Sequence, residues 1–175
     1  MSDTFTSERL VMRPQRVEDA EALHLAYRDA DLMRFWSSAP HASVEQTRAY
    51  LTARTGQSPW RGWVMTLPGD DTAIGTLAAG EKRPGVVEIG YLLARPYWAQ
   101  GYAREGVSRL LDLLFREDGV RRVFADTDPE NAASNRLLRS LGFTLEGVLR
   151  AEWETHIGVR DTNLWGLLAL EWPAT

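Results

Sequence analysis

At 175 residues with a net charge of -4, the chain suits one domain with an ordinary core, and it lacks the block of like charge that would hold nucleic acid or a membrane surface. It contains no cysteine, which excludes disulfides, thiolate metal sites and an acyl-cysteine intermediate. There is no apolar run of the roughly eighteen residues that a membrane span needs, and Met1 to Arg9 is polar where a signal peptide would be basic and then apolar. A cytoplasmic protein is expected.

In chain order, Arg9 to Pro14 alternates apolar and polar residues and predicts a first strand closed by Pro14. Asp19 to Tyr27 carries a loose helical stripe of Ala22, Leu23, Leu25 and Ala26. Ser43-Val44-Glu45-Gln46 fits a capping box, with Ser43 as N-cap and Gln46 three residues on, and so predicts a second helix. Trp60 to Leu67 and Thr72 to Ala79 are β-rich runs joined by Pro68-Gly69-Asp70-Asp71, the chemistry of a hairpin turn. Val86 to Leu93 follows as another strand. From Ala103 to Glu117, Val107, Leu110, Leu111, Leu114 and Phe115 repeat with helical spacing. Val120 to Thr127 reads as a strand, and Ala132 to Leu141 as a helix with Asn131 as N-cap and Gly142 beyond its C-terminus. Phe143 to Arg150 and Asp161 to Leu170 complete the set as strands. The order predicts one domain over residues 1–175, a mixed sheet covered by helices.

The turn between Leu93 and the helix near Ala103 contains Gly101 and Ala103. Small residues there let backbone N–H groups approach a diphosphate, and the helix N-terminus adds unpaired donors and a favourable dipole. A purely structural turn has the same composition. Gly101-x-Ala103-x-x-Gly106 with Asp126 also approximates a dinucleotide fingerprint, but that motif needs a tight turn directly after the strand, and here a long loop intervenes. No histidine accompanies a Gly-x-Ser-x-Gly elbow, which argues against a serine hydrolase. Glu152, Glu154 and His156 alternate in an extended segment, but two carboxylates and one histidine more often belong to a solvated surface than to a metal. Lys82 is the single lysine; no function is read from that.

Four separated runs carry a family resemblance: Glu88-Ile89-Gly90-Tyr91-Leu92-Leu93, Tyr97 to Glu105, Asn131-Ala132-Ala133-Ser134-Asn135, and Leu141-Gly142-Phe143. Together they resemble the GNAT acetyltransferases. Arg9 to Pro14, Glu146-Gly147 and Leu149-Arg150 make the chain most similar to the branch that acetylates ribosomal-protein N-termini (RimJ/RimL-like). The resemblance implies an α/β GNAT fold, a mostly antiparallel sheet of about seven strands flanked by about four helices and splayed between the fourth and fifth strands. It implies acetyl-CoA as cofactor and no metal. The backbone of Leu92 and Leu93 would bond the pantetheine amides. Gln100, Gly101, Tyr102 and Ala103 would cap the diphosphate, with Arg104 as a further phosphate contact. Asn131 and Ser134 match the family's Asn-x-x-Ser element near the thioester, although a helix cap and a small packed residue are the bland readings. The family's Gln or Arg three residues before the glycine is replaced here by Trp98.

Acetyl transfer to an amine needs an unprotonated nitrogen, a polarised carbonyl and a proton for the departing thiolate. Glu88 is the candidate base, since alternation places it on one face with Gly90 and Leu92; a salt-bridged strand glutamate is its alternative. Glu152 and Glu154 are competitors that could fix a substrate ammonium. Ser134 is the candidate acid, ahead of Tyr102 and of unassisted departure. Trp36 is a candidate lining of the acceptor pocket. The expected acceptor is a protein N-terminal α-amine. A small-molecule amine such as an antibiotic, polyamine or amino-acid derivative is the alternative, as is a non-catalytic module that only binds coenzyme A.

Overall fold

Hairpin turns at Gly69 and Gly85, both at positive φ, fold the middle of the chain into three consecutive antiparallel strands around which the rest of the sheet assembles. The computed structural model describes residues 4–54 and 59–173; the first three residues of the polar N-terminal stretch lie outside them. Among the described residues the strands are β1 (Phe5–Thr6), β2 (Val11–Pro14), β3 (Trp60–Leu67), β4 (Asp70–Arg83), β5 (Val86–Leu93), β6 (Arg122–Thr127), β7 (Thr144–Thr155) and β8 (Gly158–Leu168). The α-helices are α1 (Ala20–Tyr27), α2 (Ala30–Met33), α3 (Val44–Arg54), α4 (Tyr102–Asp112) and α5 (Ala132–Ser140). The eight strands form one sheet in the order β1-β2-β3-β4-β5-β6-β8-β7.

Two elements exceed the expected seven strands and four helices, and both are too short for a periodic signal. Residues Phe5 and Thr6 pair with Met12 and Val11. The single turn α2 is held by Asp29, whose carboxylate accepts from the N–H groups of Asp31 and Leu32. The capping signals elsewhere behave as their chemistry requires. Ser43 Oγ accepts from Gln46 N at 3.3 Å, while Gln46 reaches back one residue further than the motif predicts, to Ala42 N. At the end of α5, Gly142 has φ +89° and Phe143 N–H returns to the Leu138 carbonyl.

All ladders are antiparallel except β5 with β6. That parallel pairing covers only Val86↔Arg122, Val87↔Val123 and Glu88↔Phe124. Beyond it, Ile89 to Leu93 keep their β4 partners but have none on β6, so the sheet opens there as a V whose apex is Glu88. This is the predicted splay between the fourth and fifth expected strands.

Alternation gives the two faces separate cores. Val87, Ile89 and Leu93 join Val107, Leu110, Leu111, Leu114 and Leu138 under α4 and α5. Leu92 and Val64 join Leu23, Met33 and Leu51 under α1 to α3. The second face is anchored by Arg13, buried on β2 and bonded to the buried Asp19 carboxylate at 2.7 and 3.0 Å, which fixes the entry to α1. No helix among the described residues is long and apolar enough to cross a membrane.

Candidate active site

The turn after β5 is built as an anion cradle. Ala99 and Gly101 have φ of 59° and 84°, and left-handed residues within a turn curl backbone N–H groups around a concavity. Gly101 is the N-cap of α4, so Tyr102, Ala103 and Arg104 form a first helical turn whose N–H groups lack intrahelical acceptors. A Cβ on Gly101 would sit in the left-handed region and 3.3 Å from Arg9 Nη2. Arg104 is exposed, and no ion pair occupies it among the described residues.

Arg9, a conspicuous residue to which the sequence reading assigned no task, braces this turn. Its guanidinium donates to the Gln100 carbonyl at 3.0 Å and to Glu105 at 2.8 Å, and it lies 4.8 Å from the Tyr102 ring centre. Trp98, at the position that departs from the family pattern, also has a defined task. Its indole N–H donates to the Leu93 carbonyl at 2.6 Å, and Arg95 lies over its ring. Trp98 thus ties the loop to the end of β5 rather than offering a donor to phosphate. The Leu93 carbonyl keeps one lone pair for a further partner.

Across the V, Tyr91 on β5 meets Ser134 on α5, hydroxyl to hydroxyl, at 2.5 Å. Burial pushes the Tyr91 phenol up to about 12, against the pull of the Ser134 hydrogen bond. Asn131 acts as the N-cap of α5, its side-chain oxygen accepting from Ser134 N at 3.2 Å. Asn135 holds the same helix to the sheet. Its side-chain oxygen accepts from Thr127 Oγ1, Trp165 Nε1 and Asn163 Nδ2, and its amide donates to the Asp128 carbonyl. The motifs contain Tyr91 and Asn135 but assign no task to either side chain; only the packing of α5 against the opened strands reveals one.

On the opposite face, register lines up Trp60, Gly80, Glu88 and Phe124 across β3, β4, β5 and β6. A side chain on Gly80 would meet the Trp60 ring at 2.7 Å, so the indole lies over the glycine, beside Glu88. The Glu88 side chain is 18% exposed and its carboxylate bonds the Lys82 ammonium at 2.8 Å. Lys82 Nζ also lies 4.5 Å from the centre of the Trp60 ring, a carboxylate-plus-aromatic setting that suits an ammonium. Burial raises the Glu88 pKa; the Lys82 hydrogen bond opposes that, and the negative charge of Asp126 adds to it.

Asp126 on β6 and Asp128, one residue beyond its end, continue this face. Trp153 Nε1 donates to Asp126 at 2.6 Å, and Arg160 clasps Asp128 at 2.7 and 3.0 Å. Trp153, an exposed indole, reaches Asp126 over the surface where β7 bulges between Leu149 and Trp153, with Ala151 at φ 52°. The predicted Glu152 and Glu154 are exposed neighbours of Trp153, and alternation turns Glu154 to the other side of the hairpin. Among the described residues, they and His156 form no group that could hold a metal. Trp36 is half-buried against the α1 to α3 core that contains Leu92. Next to it, Arg34 reaches Glu130 at 3.5 Å, so the segment after α2 spans towards the loop after β6.

Comparison with known proteins agrees with this architecture. Residues 9–144 match the family model for an acetyltransferase (GNAT) domain. The chain is 30% identical over 177 residues to the uncharacterized N-acetyltransferase p20 of Bacillus licheniformis, covering 97% of this chain and 98% of the relative. It is 26% identical to spermidine N(1)-acetyltransferase of Escherichia coli (strain K12), over 81% of this chain and 76% of that protein. Among solved structures it superposes on the GNAT-family acetyltransferase from Bacillus anthracis with a TM-score of 0.87, at 25% identity over 96% of this chain and 99% of the other. A parallel pair opened beyond Glu88, a left-handed turn at the start of α4 and a match over most of the chain have one explanation: this protein is an N-acetyltransferase of the GNAT family.

Proposed function

We propose that the chain transfers an acetyl group from acetyl-CoA to a primary amine by direct attack at the apex of the V, and that the acceptor is a protein N-terminal α-amine. The observation that carries the reading is Glu88. It is a largely buried carboxylate at the last paired residue before the opening, and it already holds an ammonium group.

The residues fit the cofactor. Gln100, Gly101, Tyr102 and Ala103 present the concave turn, with the exposed Arg104 beside it; on β5 the peptide groups of Leu92 face Thr76 of β4, while those of Leu93 face the side without a β6 partner and offer themselves to an extended amide chain. Acetyl-CoA supplies the thioester that the amine attacks. Glu88 takes a proton from the ammonium, and its raised pKa makes it a stronger base than an exposed glutamate. Free N–H groups of β5 between Tyr91 and Leu93 polarise the carbonyl. Ser134 gives its hydroxyl proton to the departing sulfur, and Tyr91, a neutral phenol at physiological pH, donates to Ser134 Oγ and turns that proton toward the cleft. Asn131 sets the position of Ser134 by capping α5.

The N-terminal acceptor rests on Arg9 to Pro14 and on Glu146 to Arg150, the runs that resemble the ribosomal-protein branch. A polyamine is the second reading, favoured by Asp126 beside Glu88 and by the similarity to a spermidine acetyltransferase. Peptides with free N-termini, polyamines and aminoglycosides incubated in parallel with acetyl-CoA, with acetylated products read by mass, decide between them. Acetylation of polyamines alone would refute the N-terminal acceptor. Stabilisation by coenzyme A with no acetylated amine of any class would refute transfer at this site.

A further inference from the structure

We propose that Lys82 is itself a target of this active centre, so that the protein acetylates its own single lysine. The inference rests on the assignment of Glu88 as base. An acceptor nitrogen must come within hydrogen-bonding distance of that carboxylate, or one water away, to lose its proton to it. The nitrogen found there is Lys82 Nζ, at 2.8 Å from Glu88 Oε2. The Trp60 ring, lying over Gly80 in the same cross-strand row, flanks the ammonium at 4.5 Å. Lys82 belongs to β4, next to the Pro84-Gly85 turn that leads into β5, so a short stretch of chain delivers it to the carboxylate. Its side chain is 40% exposed against 18% for Glu88, so the lysine is the more open partner of a sheltered carboxylate.

The step balances with acetyl-CoA as the acetyl donor. The Lys82 ammonium passes one proton to Glu88. The freed lone pair forms the nitrogen–carbon bond to the acetyl carbonyl, and the carbon–sulfur bond breaks with its electron pair leaving on sulfur. The thiolate takes a proton, and the second proton on nitrogen is lost to solvent. The products are Nε-acetyl-Lys82 and coenzyme A. Acetylation removes the positive charge and with it the ion pair to Glu88, so the modified chain presents a carboxylate with no resident cation to an incoming amine.

The test uses the full chain with acetyl-CoA alone, followed by intact mass and peptide mapping. One acetyl group on Lys82, formed at a rate per chain that does not change with protein concentration and slowed about a hundredfold in Glu88→Gln, is the expected result. Equal modification of Lys82 in Glu88→Gln would mean simple chemical acylation and would overturn the proposal. An unmodified Lys82 in a preparation that acetylates an added amine would also overturn it, while leaving the proposed function standing. Failure of both Lys82 and every added amine, with coenzyme A still raising the melting temperature, would overturn the two together. Lys82→Arg should bind coenzyme A with the same thermal shift and gain no acetyl group at position 82. The contact has a readout that needs no cofactor. A water-soluble carbodiimide should join Lys82 to Glu88 as an amide in the wild type, and a cross-linked peptide missing from that map would remove the geometry on which the proposal stands.

Discussion

Replacing Glu88 with Gln separates chemistry from folding. Glutamine keeps the volume and the strand, and the lost partner, Lys82, has a side chain that is 40% exposed and remains solvated. An ion pair open to water on one side contributes at most about 1 kcal/mol, so the melting temperature should move by no more than about 4 °C. The sign of the pH dependence follows from the raised Glu88 pKa. Because the folded value lies above the ordinary 4.5, the fold favours the protonated acid, and its contribution to stability is lost as pH rises through the folded pKa. Glu88→Gln lacks that loss, so its stability relative to wild type should improve from pH 4 to pH 8. Catalysis should respond in the opposite sense. Removing a positioned base costs about a hundredfold to ten-thousandfold where the acceptor is an ammonium ion, and less as rising pH deprotonates the amine in solution. Thiol release from acetyl-CoA with the preferred acceptor, followed from pH 6 to pH 10 beside thermal melts, checks both halves. A rate equal to wild type across that range would remove Glu88 from the mechanism. A collapse in melting temperature would show that the carboxylate is structural.

Gly101→Ala forces a Cβ into a left-handed residue, at about 1–2 kcal/mol, and toward Arg9. The coenzyme A-dependent rise in melting temperature should shrink more than the melting temperature of the free protein falls, as ligand titrations by thermal shift will show. Tyr91→Phe removes the hydroxyl facing Ser134 and should lower kcat with little change in KM for the acceptor. Ser134→Ala should do the same, and the double variant should be no worse than the worse single one in steady-state kinetics, since the two hydroxyls form one relay. Asp29 is held down at about 2, chiefly by its hydrogen bond from Arg95. Its stabilisation is complete above the ordinary 3.8 and is lost as pH falls toward 2. Asp29→Asn should therefore show a shallower loss of stability in that window by circular-dichroism melts.

Most elements were legible in the sequence because each has a local cause. The stripe of Val107, Leu110 and Leu111 makes α4 amphipathic, and Leu114 and Phe115 carry it into a wider π-helical turn, Leu113–Glu117; Gly142 supplies a left-handed helix end, and Pro68 to Asp71 turns a hairpin. The left-handed turn before α4 was legible for the same reason, since Gly101 and the helix that follows are contiguous. Phe5–Thr6 and α2 were not, because a pair of residues or a single turn carries no period and is stabilised by distant partners.

The residues of the candidate site illustrate the same division. Their identities and their presence within separate motifs were written in the sequence: Glu88, Leu92 and Leu93 on one strand, Asn131 and Ser134 before and within a helix. Their relations were decided by tertiary structure. The ladder between β5 and β6 stops at Glu88, Tyr91 crosses the opening to Ser134, the exposed Trp153 reaches Asp126 from beyond a bulge, and Lys82 comes to rest on Glu88. A strand's side-chain period says which face a residue takes, but how far two neighbouring strands stay paired depends on what packs between them and on either side. That is a property of α4, α5 and the sheet together, and no segment of the chain carries it alone.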